Sequence, residues 1–544
     1  METEQKTKYH PYKKWVPGIA LGVALYFMYA STFLTDYLMN DEWAHLGSHV
    51  VNLYNLALQF IIFNSRPLFG IANAFVFEFV DFNPFKIQLI RFLNFLSLAG
   101  MALILWRFLA KRSRHSWFSF FVILFFFSQT SVLGLQGYSL VFFAEATPAI
   151  WLNFLAFFLF FFLFDARRIH PVLQAAAIFL LFAMAMLFIQ TYAFVSMIPL
   201  SYLALTDWPR QKRRIVSFYI IAAAVLLIAS GAFQIILRFS GAQGIATYPV
   251  AKQAFDALRA TPLEVIRRAF SPLTYWNAFE LWTYPFPFHG TPPLSLETRK
   301  TGATIVTRLW VVLIAAAIIV ETKERPHGER REIIFKWLSV AVAMGFGMIF
   351  ILIDSPTEII DHRPHMMLPM TGVIIFSGAY SLQVLATKYK VFHHRLLQGA
   401  AAFLILYIAF GAQADLERGI VSTRHAQLDF IRTTLASRPP DAFEKVIVVL
   451  PPNTQGCVSE PCNPWFGQIV HSHWHLRRTG IYHYAFVSEG IMPGEKELVF
   501  SDHPLDAVPE NAVVIDWNQF VQSREKLRNF LRWLRKETFN PHIP

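Results

Sequence analysis

The sequence predicts a polytopic α-helical membrane protein with a small α/β domain at its C-terminal end. Three observations predict it. Of 544 residues, 55% are hydrophobic and 15% charged, with 55 Phe and a mean hydropathy of +0.40, more apolar surface than a soluble globule covers. Apolar runs recur along the chain, among them Trp117 to Val132, Ile150 to Phe164, Ile215 to Ile236 and Ile305 to Val320, and each approaches the ~20 residues that cross a hydrocarbon core as a helix. Short basic clusters separate these runs, and the composition changes after residue 412.

The net charge of +12 does not mark a nucleic-acid partner, because the basic residues are spread between apolar runs instead of gathered on one domain. The apolar runs are too numerous for a signal peptide plus an anchor. Two cysteines, Cys457 and Cys462, supply no disulfide framework, so the membrane segments rely on packing and on backbone hydrogen bonds made within each helix.

Basic clusters set the expected topology. Lys6 to Lys14, Arg107 to Arg114, Arg167 and Arg168, Arg210 to Arg214, Lys323 to Lys336 and Lys388 to Arg395 are all assigned to the cytoplasmic side. Even numbers of spans between them give about eleven helices, at 15–35, 86–107, 116–134, 148–164, 171–188, 190–206, 215–237, 303–321, 334–353, 365–386 and 396–412. Residues 1–412 then form the transmembrane domain of a multi-pass inner (plasma) membrane protein, with outer loops 36–84, 238–302 and 354–364. The stretch Pro67 to Val80 does not fit as a span and reads as an interfacial or re-entrant helix. Residues 413–544 lie outside, where Val446 to Leu450, Glu497 to Phe500 and Ala512 to Ile515 read as strands of the α/β domain. Glu525 to Lys536 reads as its last helix, docking by its apolar face.

The first outer loop carries the residues with chemical promise. It opens Asn40-Asp41-Glu42-Trp43-Ala44-His45, and adjacent carboxylates at a membrane surface are costly unless solvated or used. A solvated helix start, with Asn40 or Asp41 capping, is the alternative. Next come Asn64-Ser65-Arg66-Pro67-Leu68, Phe82-Asn83-Pro84 and then Arg91 at the start of the second span. With Asp41-Glu42, Arg66-Pro67-Leu68 and Arg91 in this order, the first ~110 residues resemble the GT-C superfamily of membrane glycosyltransferases, by short-motif matching. That superfamily includes protein O-mannosyltransferases, lipid A aminoarabinose transferases and O-antigen glucosyltransferases. Arg363-Pro364, within Asp361 to Pro369, is similar to the entry of a late span in the same superfamily, although it lacks the expected tyrosine.

The resemblance implies inverting transfer of a sugar from a polyprenyl-phosphate donor to a lipid, glycan or protein acceptor of the cell envelope, such as lipopolysaccharide or its O-antigen. Asp41 is then the base that takes the acceptor proton. The leaving phosphate needs cations, which Arg66, Arg91 and Arg363 can supply through planar bidentate donors; headgroup anchoring is their other reading. Glu42 points about 100° away from Asp41 on a helix and would orient the site or bind metal. His45 and His49 share a helical face with Glu42, a spacing compatible with a divalent metal, although the transfer itself requires no cofactor.

Glu145, beside Pro148 at the outer end of a span, is either a further acid of the site or a capped helix start. Trp276 and Trp282 lie in an aromatic run after a predicted amphipathic helix at Ala251 to Phe270; they read as an interface belt or as a sugar-stacking surface. Cys457 and Cys462 form a local disulfide if the domain is extracytoplasmic. His471, His473 and His475 alternate as on a strand, which permits zinc but also suits a solvated face. The competing classes are an O-antigen ligase or polymerase using a lipid diphosphate, a non-catalytic scaffold, and a transporter or flippase. Against the last stands the expectation that the spans hold almost no buried ionisable residues and few Gly or Pro interruptions.

Overall fold

Prolines and their neighbours decide where several helices begin. A computed structural model of the chain describes residues 15–33, 67–113, 115–129, 140–164, 169–189, 191–239, 296–354, 368–389, 394–416, 422–450, 479–492, 495–505 and 507–520. Pro84 opens a helix, and Asn83 caps it by accepting from the backbone N–H of Phe85 at 3.0 Å and of Lys86 at 3.3 Å. Pro171 opens another, where His170 Nδ1 accepts from the Val172 N–H at 3.4 Å. A proline in the first turn sacrifices no helical hydrogen bond, and a polar side chain just before it satisfies an orphan donor.

Two compact units result, the second holding Phe77–Ile87 and Glu417–Pro544. Among the described residues, the helices of the first unit are α1 (Val16–Phe33), α2 (Pro67–Val80, whose last turn belongs to the second unit), α3 (Pro84–Ser113, whose first turn belongs to the second unit), α4 (Ser116–Phe127), α5 (Leu140–Phe158), α6 (Pro171–Phe188), α7 (Met197–Phe239), α8 (Leu296–Glu324), α9 (Arg330–Asp354), α10 (Leu368–Lys388) and α11 (Arg395–Leu416). A π-helical turn at Leu159–Leu163 extends α5. Four helices among the described residues are long and apolar enough to cross a membrane, Pro84–Ser113, Phe143–Leu163, Pro171–Phe188 and Leu368–Lys388. Val16–Ala30, Pro67–Val80, Ser116–Phe127 and Arg395–Phe410 are shorter apolar helices.

α10 is the most deeply embedded of the four candidate spans, and it packs against α4, α7, α8 and α9. Its small residues allow this. A Cβ at Gly372 would collide with Ile198 of α7, and one at Gly347 of α9 would stand 2.9 Å from the backbone nitrogen of Met370. Close backbone approach through small residues is how helices gain packing where lipid is as apolar as leucine. Side-chain hydrogen bonds cross the same contacts. Tyr202 donates to Gln383 at 2.9 Å, Tyr219 to the Ser339 carbonyl at 2.8 Å and Trp310 to the Ile374 carbonyl at 3.2 Å.

Charged side chains from several segments meet at one end of this unit. Arg112 donates to Asp207 at 3.2 Å, and Lys212–Glu332 and Lys388–Glu324 approach to 2.7 Å. The Arg214 guanidinium bonds the Phe160 carbonyl, and Arg107 stacks over Trp15. Lys336, buried, is ion-paired with Glu321; Tyr380 and Trp337 also donate to that carboxylate, at 2.5 and 3.2 Å. A buried pair survives when its remaining lone pairs are filled in this way.

Two expectations are corrected here. The Arg210 to Arg214 cluster is not a loop: α7 runs through it, broken only at Asp207 (φ −122°, ψ 16°) ahead of Pro209, with Lys212 held by Glu332 and Arg214 by the Phe160 carbonyl. The apolar segments also hold more buried charge than expected, since Arg91, Glu145 and Lys336 are all buried. Pairing through tertiary contacts makes that burial affordable.

In the second unit, α12 (Ser422–Leu435) and α13 (Thr479–Ser488) accompany a three-stranded parallel sheet. Its strands are β1 (Lys445–Val449), β2 (Glu497–Ser501) and β3 (Ala512–Asp516), in the order β2-β1-β3. Val446 pairs with Leu498 on one side and Val513 on the other. The run Val446-Ile447-Val448-Val449 is buried throughout, as a central parallel strand covered on both faces requires. Trp517 donates to the Tyr482 hydroxyl at 2.9 Å and packs with Phe430 and Phe520. Residues Glu525 to Lys536, Cys457, Cys462 and the His471 to His475 run lie outside the described residues.

Gly345 and Gly347 give a paired test of the packing. Nothing lies within 4 Å of a Cβ at Gly345, whereas Gly347 abuts the α10 backbone. Gly345→Ala therefore leaves the thermal midpoint unchanged or raises it, by up to ~1 kcal/mol of helix propensity. Gly347→Ala lowers it, by about 1–3 kcal/mol of overpacking, as read by size-exclusion survival after heating.

His483 supplies a pH test in the second unit. Burial holds its pKa below the ordinary value, and its Nδ1 is buried without a hydrogen bond among the described residues. The folded state thus resists a proton that the unfolded chain takes up near pH ~6.5. This contribution to stability is fully present above that pH and declines as the pH falls through it. Protection factors for β1 and α13, corrected for intrinsic exchange, should fall on acidification, and His483→Phe should flatten the dependence.

Candidate functional site

The described site residues converge where α2, α3 and α5 meet. α3 and α5 run side by side in the same direction: Thr147 donates to Asn94 at 2.9 Å, Trp151 to Ser97 at 2.5 Å, and Phe108 packs on Phe157 farther along. Carrying the offset of the first two bonds back one helical turn sets Arg91 level with Ala144 and Glu145. Arg91 is 1% and Glu145 5% exposed. Neither is without a partner, as a charge removed from water requires.

α2 closes this level from one side. Phe69 packs with Ala144, and Ala72, Val76 and Phe188 of α6 join them. One turn beyond Phe69, Asn73 is fully buried, and neither its amide oxygen nor its amide nitrogen has a hydrogen-bond partner among the described residues. An unsatisfied buried amide costs ~1–3 kcal/mol, so its presence in an otherwise apolar contact signals a role other than packing. Below this level Asn94, Ser97, Thr147 and Ile150 line a crevice too narrow for water.

The turn between α2 and α3 is strained. Asp81 (φ 41°) and Phe82 (φ 56°) both occupy the left-handed region without being glycine. Such conformations cost of order ~1 kcal/mol each and persist where surrounding contacts over-determine them. Phe82 is buried, and Asn83 caps α3 immediately after it.

Of the residues singled out in the sequence, Arg91 and Glu145 are brought to one level. Asp41, Glu42, His45, His49, Arg66, Trp276, Trp282 and Arg363 lie outside the described residues. Among the described residues no three His, Cys, Asp or Glu side chains converge as a metal would need. Asn73, Asn94, Ser97 and Thr147 escaped the sequence reading. The spacing held a signal: Asn94 falls three residues after Arg91 and Asn73 four after Phe69, so each pair shares a helical face.

No protein-family model matches the chain, and no curated protein matches it. The class that fold and site define is a mostly helical protein with, among the described residues, four helices able by length and composition to cross a membrane, joined to a small parallel sheet unit.

Asn73→Leu separates packing from function. Removing an unpaired buried amide should raise the thermal midpoint, by ~1 kcal/mol or more. If Asn73 instead were held only for packing, the midpoint would fall.

Proposed function

We propose that this protein is a GT-C-type membrane glycosyltransferase that moves a sugar from a polyprenyl-phosphate donor to an envelope acceptor with inversion. The supporting observation is the buried Arg91, level with Glu145, at the far end of α3 from the ionic cluster around Arg112 and beside the helix that Pro67 opens. In this reading the helices form about eleven spans of the inner membrane, the basic end faces the cytoplasm, and the Arg91 level faces outward.

The reaction asks little of the protein beyond charge placement. The acceptor hydroxyl attacks the anomeric carbon while the carbon–oxygen bond to phosphate breaks, and Asp41 takes the hydroxyl proton. The departing lipid phosphate needs no proton if its charge is held, and Arg91, with Arg66 and Arg363, provides bidentate donors for it. In low-dielectric surroundings such donors are worth more than in water. Glu145 orients the arginine or the acceptor. Trp276 and Trp282 offer stacking faces for the sugar. Glu42 with His45 and His49 would hold a divalent ion, should one assist.

Asp41→Asn decides between transfer and transport. In a deletion strain complemented with each variant, mass analysis of envelope glycans should show Asp41→Asn reducing the modified glycan by ~100-fold or more, with membrane insertion unchanged. Arg91→Lys keeps the charge but loses the planar fork and should cut transfer by about tenfold. Full transfer by Asp41→Asn would end the proposal.

A further inference from the structure

A second built site lies at the other end of α3, roughly 30 Å along the helix from Arg91. There a cavity of about 570 Å³ is lined by Lys111 and Arg112 of α3, Thr206 and Asp207 at the break in α7, and Gln383 and Thr387 in the last turns of α10. This volume suits a small-molecule ligand. Val384 is the one aliphatic residue of its lining.

The walls are fixed by bonds that leave donors over. Gln383 accepts from Tyr202 at 2.9 Å and donates to the Ser113 carbonyl at 3.2 Å, so it braces α3, α7 and α10 together. Tyr380, also on the wall, is held by Lys336 at 2.8 Å and by Glu321. Arg112 commits its Nε to Asp207 at 3.2 Å and stacks on Phe108, with Nη1 directed at the Phe108 carbonyl. Its Nη2 has no partner among the described residues, and neither has the exposed ammonium of Lys111. Because Asp207 is neutralised by Arg112, the lining keeps one net positive charge.

A planar guanidinium edge and an exposed ammonium on one cavity match the tetrahedral oxygens of phosphate. The volume exceeds that of a bare phosphate ion, so a phosphate ester fits better. We infer that this cavity binds the phosphate of a phosphate ester between Lys111 and Arg112. The ester is either an anionic lipid headgroup at the membrane boundary, where basic pockets between helices take such groups, or a water-soluble compound. The site is independent of the transfer reaction and of Arg91. Its position at the Asp207 break joins ligand occupancy to the junction of the two halves of α7.

Thermal stability of the purified full chain tests this in two arms. The first titrates sn-glycerol 3-phosphate into detergent-solubilised protein; the second compares phosphatidylcholine nanodiscs with and without phosphatidylglycerol. Stabilisation in the first arm identifies a soluble ester, and in the second alone a lipid headgroup. In either case Lys111→Gln, which leaves the Arg112–Asp207 pair intact, should weaken the effect about tenfold, while Arg331→Gln, an exposed charge away from the cavity, leaves it unchanged. No stabilisation in both arms, or equal stabilisation of wild type and Lys111→Gln, overturns the inference.

Discussion

The structure depends on one constraint: a polar group taken out of water must find its partner inside the protein. Backbone groups meet it by forming helices, which is why the apolar runs of the first unit are helical. Side chains meet it in pairs across helix contacts, as Tyr202 does with Gln383 and Asn94 with Thr147. Charges meet it by collecting at one end, where Lys336 is enclosed by Glu321 and Tyr380. Asn73, buried and without a hydrogen-bond partner among the described residues, is one of several departures, and it lies toward the opposite end.

Close packing does the remaining work. Helices gain little from the hydrophobic effect when their surroundings are equally apolar, so contact area and small residues decide which faces join. Gly347 and Gly372 let α9 and α7 approach α10, and α10 in turn carries Gln383 and Tyr380 to the wall of the basic cavity. The same frame aligns α3 with α5, and that alignment puts a cation and a carboxylate on one level. The two candidate sites thus sit at the two ends of a single helix, α3.

Much of the architecture was legible in the sequence. Long apolar runs read as helices because a period-free hydrophobic stretch of that length has no other use. The β-branched run Val446 to Val449 read as a strand for the same kind of reason, and the observed β1, β2 and β3 fall within a residue of the segments read as strands. Pro67 to Val80, which as a span would put the Arg107 to Arg114 cluster on the outer side, reads as a separate helix and is one. Where local cues misled, long-range contacts were responsible: a basic cluster such as Arg210 to Arg214 resembles a loop until the Phe160 carbonyl and the Glu332 carboxylate that hold it are in place.

By itself the sequence determined the apolar content, the helices from Pro67 and Pro171, the strand segments and the presence of Arg91 and Glu145, because each follows from local propensity or hydropathy; the span expected from 148 instead begins at Leu140, with Pro148 inside it. Only the tertiary structure decided that β1 is central with all strands parallel, that Arg91 and Glu145 share a level, and that Lys111, Arg112, Asp207 and Gln383 enclose one cavity. Those outcomes depend on pairings between residues far apart in the chain, and such pairings are set by how side chains interlock and satisfy one another, which no local pattern encodes.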